Sequence, residues 1–293
     1  MNGRLFRHAG MLVLAVLCVA SCAAQTVIYE KSSRFGPVIV TQGQDGLRTL
    51  QFARGGARQS VANPDDPDHL ELPYARVAMA GLALCGEPRR ILVVGLGGGT
   101  IPTFLRRHYP SARIDAVDIN AEVVEVAKKF FGFREDALMR AYVADGRRFI
   151  ENVTQPTYDA IFLDAFGAQS VPAQLTTQEF LRAVRSSLMP GGVVIGNVWS
   201  RPSNRLYDSM IRTYQEVFDE LFILDVAGDV NKIVLALPRR QALERADLVR
   251  LARKVSTERR FRFDLGDLVN YGFLRAQEMN PAGRVLRDRA PGK

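Results

Sequence analysis

The chain has 293 residues, of which 47% are hydrophobic and 24% charged, and a formal charge of +8. These are ordinary values for a globular protein with one large core, or one core and a small appendage. The positive charge is scattered, and its densest run, STERRFRFD (Ser256–Asp264), reads as a solvated helix end. No zinc-ligand spacing, RNA-binding signature or aromatic-plus-basic stripe accompanies it, which excludes nucleic acid as the partner and gives no metal site.

The chain opens with MNGRLFRHAG, which carries Arg4 and Arg7 and no acid, followed by MLVLAVLCVA and SCAAQ. A basic start, an apolar stretch of about ten residues and then small residues form the pattern of an export signal, too short to span a membrane. VASC (Val19–Cys22) also resembles a bacterial lipobox, which makes Cys22 a candidate for a lipid anchor and residues 1–22 a signal- or lipoprotein-like segment. The alternatives are a misassigned start codon or an apolar helix that stays on. Cleavage before Cys22 removes Arg4 and Arg7, so that +8 becomes +6. Of Cys18, Cys22 and Cys85, it leaves Cys85 as the free thiol. Cysteine therefore does not reveal the compartment.

Residues 26–54 alternate apolar and polar, with Val27, Tyr29, Val38, Val40, Leu47 and Leu50 in short runs separated by SSRFG and QGQDG. This predicts a small antiparallel β-meander, assigned to 25–62. An acidic, proline-containing loop, NPDDPDHLELPY (Asn63–Tyr74), leads into an apolar helix through ARVAMAGLAL. From Arg90 the texture becomes strand–helix alternation. ILVVG is a continuous apolar run, as in a strand buried on both faces. ARIDAVDIN, RAYVADG, YDAIFLDAF and GVVIGNV are further strands. AEVVEVAKKFFG and NRLYDSMIRTYQEVF are helices. TTQEFLRAVRSSLMPGG is a helix with Thr177 at its N-cap and Pro190-Gly191 as its stop. LFILDV and NKIVLAL form a terminal hairpin. The fold expected over 63–240 is an α/β doubly wound sheet with right-handed crossovers, preceded by the small β-domain. The tail, 241–293, reads as one helix and an uncommitted end.

GLGGG (Gly95–Gly99) lies between a strand and a helix, where glycines let the backbone approach a ligand and leave the helix N-terminus open. Gly95 and Gly97 are its candidate contacts. Asp118 ends the second strand, where a carboxylate accepts the hydroxyls of a ribose. Asp145, with Gly146 beside it, ends the third strand and is placed to accept from an adenine amino group. The bland alternative is that both acids merely cap turns. Because the loop lacks the G-x-G-x-x-G spacing and acids end two successive strands, the set points to an adenosine rather than a dinucleotide.

This order of segments resembles the spermidine synthase family, the polyamine aminopropyltransferases, from about Gln25 to Leu237. The resemblance rests on the β-meander, VVGLGGGT, AVDIN, VADGRRF, YDAIFLDAF, LTTQEFLRAVRSSLMPGGV and NKIVLAL. It implies a class I methyltransferase-like sheet behind an N-terminal β-domain, and a homodimer or homotetramer. It also implies decarboxylated S-adenosylmethionine as co-substrate, with no permanently bound cofactor, and an amine such as putrescine as acceptor. Carried over residue by residue, Asp118 holds the ribose, Asp145 and Gly146 the adenine, and Asp164 takes the proton. Tyr74 lies on the substrate side, Pro172 on the lid loop, and Gln25 against the nucleoside. The departures are three: Gly98 and Gly167 stand where the family has acids, and Ala75 where it has histidine or glutamine. An S-adenosylmethionine-dependent methyltransferase and a non-catalytic nucleoside or polyamine binder therefore remain the alternatives. The acids Asp65, Asp66, Asp68 and Glu71 are candidates for the missing charge. Localisation is divided: the N-terminus reads as exported or membrane-anchored, whereas the substrate chemistry is cytoplasmic.

Overall fold

Short alternating runs do fold into an antiparallel sheet: β1 (Thr26–Ser33), β2 (Gly36–Gln42), β3 (Arg48–Gln51) and β4 (Arg58–Ala62), paired in that order. The structure, a computed structural model, describes residues 25–167, 171–276, 279 and 282–288. The export-signal pattern and Cys22 lie outside the described residues.

The second sheet has eight strands. The five with continuous apolar character, β5 (Arg90–Val94), β6 (Arg113–Asp118), β7 (Met139–Val143), β8 (Tyr158–Leu163) and β9 (Leu188–Trp199), run parallel in the order β9-β8-β5-β6-β7. The hairpin β10 (Glu220–Asp225) and β11 (Asn231–Leu237) extends the sheet, with β11 antiparallel beside β9, and β12 (Phe273–Arg275) pairs with β10. The central strands are mostly apolar because both faces are covered, whereas β7, at the sheet edge, exposes Arg140 and Val143. One core packs around α1 (Pro73–Ala78) with the 3-10 turn that continues it (Met79–Leu84), α2 (Thr100–His108) and α3 (Ala121–Phe130). On the opposite face are α4 (Gly146–Glu151), α5 (Gln178–Ser187) and α6 (Tyr207–Val217). Val38, Val40 and Leu50 of the N-terminal sheet pack on Val123, Val126 and Phe131, in and just beyond α3, which fixes the small sheet over the large one.

Two expectations are corrected. The Thr177 side chain does cap α5, but the helix stops at Ser187, and Met189 to Gly192 already belong to β9. Pro190 disfavours helical backbone at the residue before it, so the stop acts ahead of the Pro-Gly pair. The tail holds two helices and a strand rather than one helix: α7 (Arg245–Glu258), α8 (Leu265–Gly272) and then β12. A Glu244–Asp247 capping box starts α7 and the Asp264 side chain caps α8. Leu248, Ala252, Leu265 and Val269 bury their apolar faces on the main core. Burial pushes the Cys85 thiol up to about 12, which makes it an inert packing group.

Candidate active site

The strand order reverses direction between β5 and β8, and ligands of open α/β sheets bind beyond the strand ends at such a switch point. Gly95 leaves β5 there with φ +98°, and a Cβ on it would collide with the Asp164 carbonyl at the end of β8. Only glycine lets the loop lie against β8. Asp118 ties the loop to β6: its Oδ2 accepts from the Leu96 N–H at 3.0 Å and its Oδ1 from the Asn120 N–H at 2.9 Å. Burial raises the Asp118 carboxyl above its ordinary range, opposed by the N–H groups of Asn120, Leu96 and Gly97. Asp145 caps α4, accepting from the Arg148 N–H at 3.0 Å. Both acids are thus turn caps that also face the cavity. Capping leaves each carboxylate with lone pairs for further donors.

Asp164 sits deepest. Its Oδ2 accepts from the Tyr74 hydroxyl of α1 at 3.0 Å and its Oδ1 from the Asn197 side-chain amide of β9 at 2.8 Å. Burial pushes its carboxyl up to about 6, and the Asn197 and Tyr74 hydrogen bonds oppose that shift. The same burial, with the neighbouring Asp164 charge, raises the Tyr74 hydroxyl well above its ordinary 10.0, so Tyr74 stays protonated and donates.

These groups enclose a cavity of about 280 Å³ whose lining, among the described residues, contains Asp118, Asp145 and Asp164 as its three carboxylates and no lysine or arginine. Gly95, Gly97, Gly146, Pro172 and Tyr74 also line it. Gln25 is not brought there. It lies just before β1, exposed, and its side-chain oxygen accepts from the Thr41 hydroxyl at 3.1 Å. The N-terminal sheet contributes Phe35, Phe52, Gln59 and Ser60 instead, none of which the sequence marks as a site residue. Asn197 was also missed, although an asparagine inside the apolar run GVVIGNV is a readable signal. Phe166 lines the wall beside Asp164 and stacks on Trp199, ring centroids 5.3 Å apart.

Two of the three departures, Gly98 and Ala75, have a structural basis. A Cβ on Gly98 would lie 2.6 Å from the Phe131 ring and 2.8 Å from Ser60 Oγ, so the space for an acid is filled. Ala75 is buried in the core rather than on the cavity wall. The acidic loop does not replace the missing charge either. Asp66 pairs with Arg262, Asp68 with Arg107 and His108, and Glu71 with His69, and neither they nor Asp65 lines the cavity.

Comparison with known proteins places this geometry among relatives. Residues 74–221 match the spermine/spermidine synthase domain. A polyamine aminopropyltransferase of Vibrio vulnificus is 34% identical, over 80% of this chain and 82% of the relative. A probable spermidine synthase from Corynebacterium glutamicum superposes with a TM-score of 0.71 at 18% identity, covering 92% of this chain and 97% of that one. Human methyltransferase-like protein 13, solved in complex with SAH, superposes at 0.59 with 32% identity, over 64% of this chain and 93% of that one.

Proposed function

We propose that this chain, which belongs to the spermine/spermidine synthase family, transfers an aminopropyl group from decarboxylated S-adenosylmethionine to an amine such as putrescine, releasing methylthioadenosine. The observation that carries the reading is Asp164: a carboxylate with a pKa near 6, held by two donors at the floor of a cavity that also presents Asp118 and Asp145.

The residues divide into two ends. Asp118 accepts the ribose hydroxyls, Asp145 with Gly146 receives the adenine, and Gly95 and Gly97 let the loop approach the nucleoside. Tyr74 and Asp164 face the acceptor, and Pro172 shapes the lid side. In the reaction the amine lone pair attacks the methylene carbon attached to the sulfonium. The N–C bond forms, the C–S bond breaks with its electron pair going to sulfur, and the amine proton passes to Asp164. An amine with a lysine-like pKa of ~10.4 is about one part in 2,500 neutral at pH 7, a cost of roughly 4.6 kcal/mol before attack. A positioned base with a pKa near 6 is mostly ionised at neutral pH and offsets part of that cost. A homodimer or homotetramer and a lipid anchor at Cys22 complete the reading. The family supports the first and the VASC string the second; sedimentation and intact mass of the mature chain test them.

The test is product analysis with the full chain, decarboxylated S-adenosylmethionine and putrescine. Methylthioadenosine is expected only when the amine is present, and is expected to be lost in Asp164→Asn while the nucleoside still binds. Methylthioadenosine release that does not depend on the amine, or that survives in Asp164→Asn, contradicts the assignment.

A further inference from the structure

We propose that Asn231 is a positioning residue that sets the protonation of Asp164 through Asn197, and so fixes the pH range of transfer. The inference rests on aminopropyl transfer with Asp164 as base. Asn197 pairs with Ile233 across β9 and β11, which puts Asn231, two residues along β11, on the same face and diagonal to it. The Asn231 amide donates to Asn197 Oδ1 at 2.6 Å, and the Asn197 amide donates to Asp164 Oδ1 at 2.8 Å. Both asparagines are buried, at 8% and 6% exposure, so water does not readily replace these bonds. The turn before β11 holds Asn231 in place, with its backbone N–H on Asp229 Oδ1 at 3.3 Å.

The two ends of a side-chain amide have nearly the same shape, so its orientation is decided by what each end meets. Asn231 presents its NH2 to the Asn197 oxygen, which leaves the Asn197 NH2 facing Asp164 and favours that orientation. Turned round, Asn197 would set its oxygen against the Asp164 carboxylate, acceptor against acceptor. A proton on Asp164 relieves that clash and removes the base. The other groups around Asp164 do not supply this bias. Tyr74, from α1, donates to the other oxygen, and Asp229 acts on Tyr74. Asp118 is held by the Leu96 and Asn120 N–H groups and Asp145 by that of Arg148.

The experiment is the pH profile of kcat and kcat/KM for the full chain, read from methylthioadenosine release, with Asn231→Asp, Asn231→Leu and Asn231→Gln. Asn231→Asp presents an acceptor and is expected to turn Asn197. The acidic limb then moves up by about one unit, so kcat falls by about twofold at pH 7 and by nearly tenfold at pH 5, activity recovers at higher pH, and KM for the nucleoside stays within about twofold. Asn231→Leu moves the limb the same way by less, and Asn231→Gln, which keeps a donor, holds it in place. A limb unmoved in every folded variant, or moved equally by Gln, overturns the proposal and leaves aminopropyl transfer standing. Loss of folding in all three also overturns it, because the pair is then structural. A wild-type chain that makes no methylthioadenosine defeats the underlying function instead.

Discussion

In the proposed reaction Asp164 is the residue that takes the proton, and its environment makes two pH predictions of opposite sign. Activity requires the carboxylate, so kcat/KM should rise as pH increases through about 6 and level off above it. Stability runs the other way. The folded carboxyl titrates near 6 and the ordinary group at 3.8, so below about 4 both states are protonated and the site costs nothing. As pH rises through that window the folded state must hold a buried charge. It loses up to about 3 kcal/mol, an upper bound because Asp164 opens onto the cavity. Urea denaturation of wild type and Asp164→Asn from pH 4 to 7 checks this: the variant should lack that slope and lose about 100-fold or more in kcat. A second residue-scale prediction concerns Gly98. Asp at 98 must displace Phe131 and Ser60, so Gly98→Asp should cost about 1–3 kcal/mol in a melt and gain no activity. Asp118, Asp145 and Asp164 were legible because each ends a readable strand. Gln59 and Ser60 were not, because nothing in RQSVA shows which strand of a small sheet will overhang a cavity.

Element by element, β5 was legible from its continuous apolar run, α3 from an amphipathic repeat ending at a glycine, and α5 from its Thr177 N-cap. The seam between the two sheets was not. It depends on Val38, Val40 and Leu50 meeting Val123, Val126 and Phe131, contacts between residues distant in sequence that no local period reveals. Phe131 is 4% exposed and lies at that seam against the loop at Gly98, so it links the packing of the small sheet to the shape of the glycine loop. Phe131→Ala should therefore destabilise the chain by about 3–5 kcal/mol in urea and weaken nucleoside binding in the same preparation. Unchanged binding at the lowered stability would separate the seam from the site.

Over the whole molecule, the tail is part of the fold rather than an appendage. β12 closes the edge of the large sheet beside β10, and α7 and α8 cover its core. The acidic loop read as a source of substrate charge fastens this unit instead. Arg262 reaches Asp66 at 2.5 Å, while Phe261 packs on Phe104 with ring centroids 4.9 Å apart. The ion pair is solvent-screened and contributes little, so the aromatic contact dominates. A chain ended at Pro238 should be insoluble or lack a cooperative melt, whereas 1 M salt should lower the Tm of the intact chain only slightly. The sequence hid this role because acid and base lie far apart in the chain.

Aminopropyl transfer at a site where Gly98 and Gly167 stand in place of acids is decided by offering the full chain equal amounts of decarboxylated and carboxylated S-adenosylmethionine with putrescine, and identifying the nucleoside released. Aminopropyl transfer predicts methylthioadenosine with aminopropylated amine in equal yield. S-adenosylhomocysteine with a methylated acceptor would contradict it and make the chain a methyltransferase.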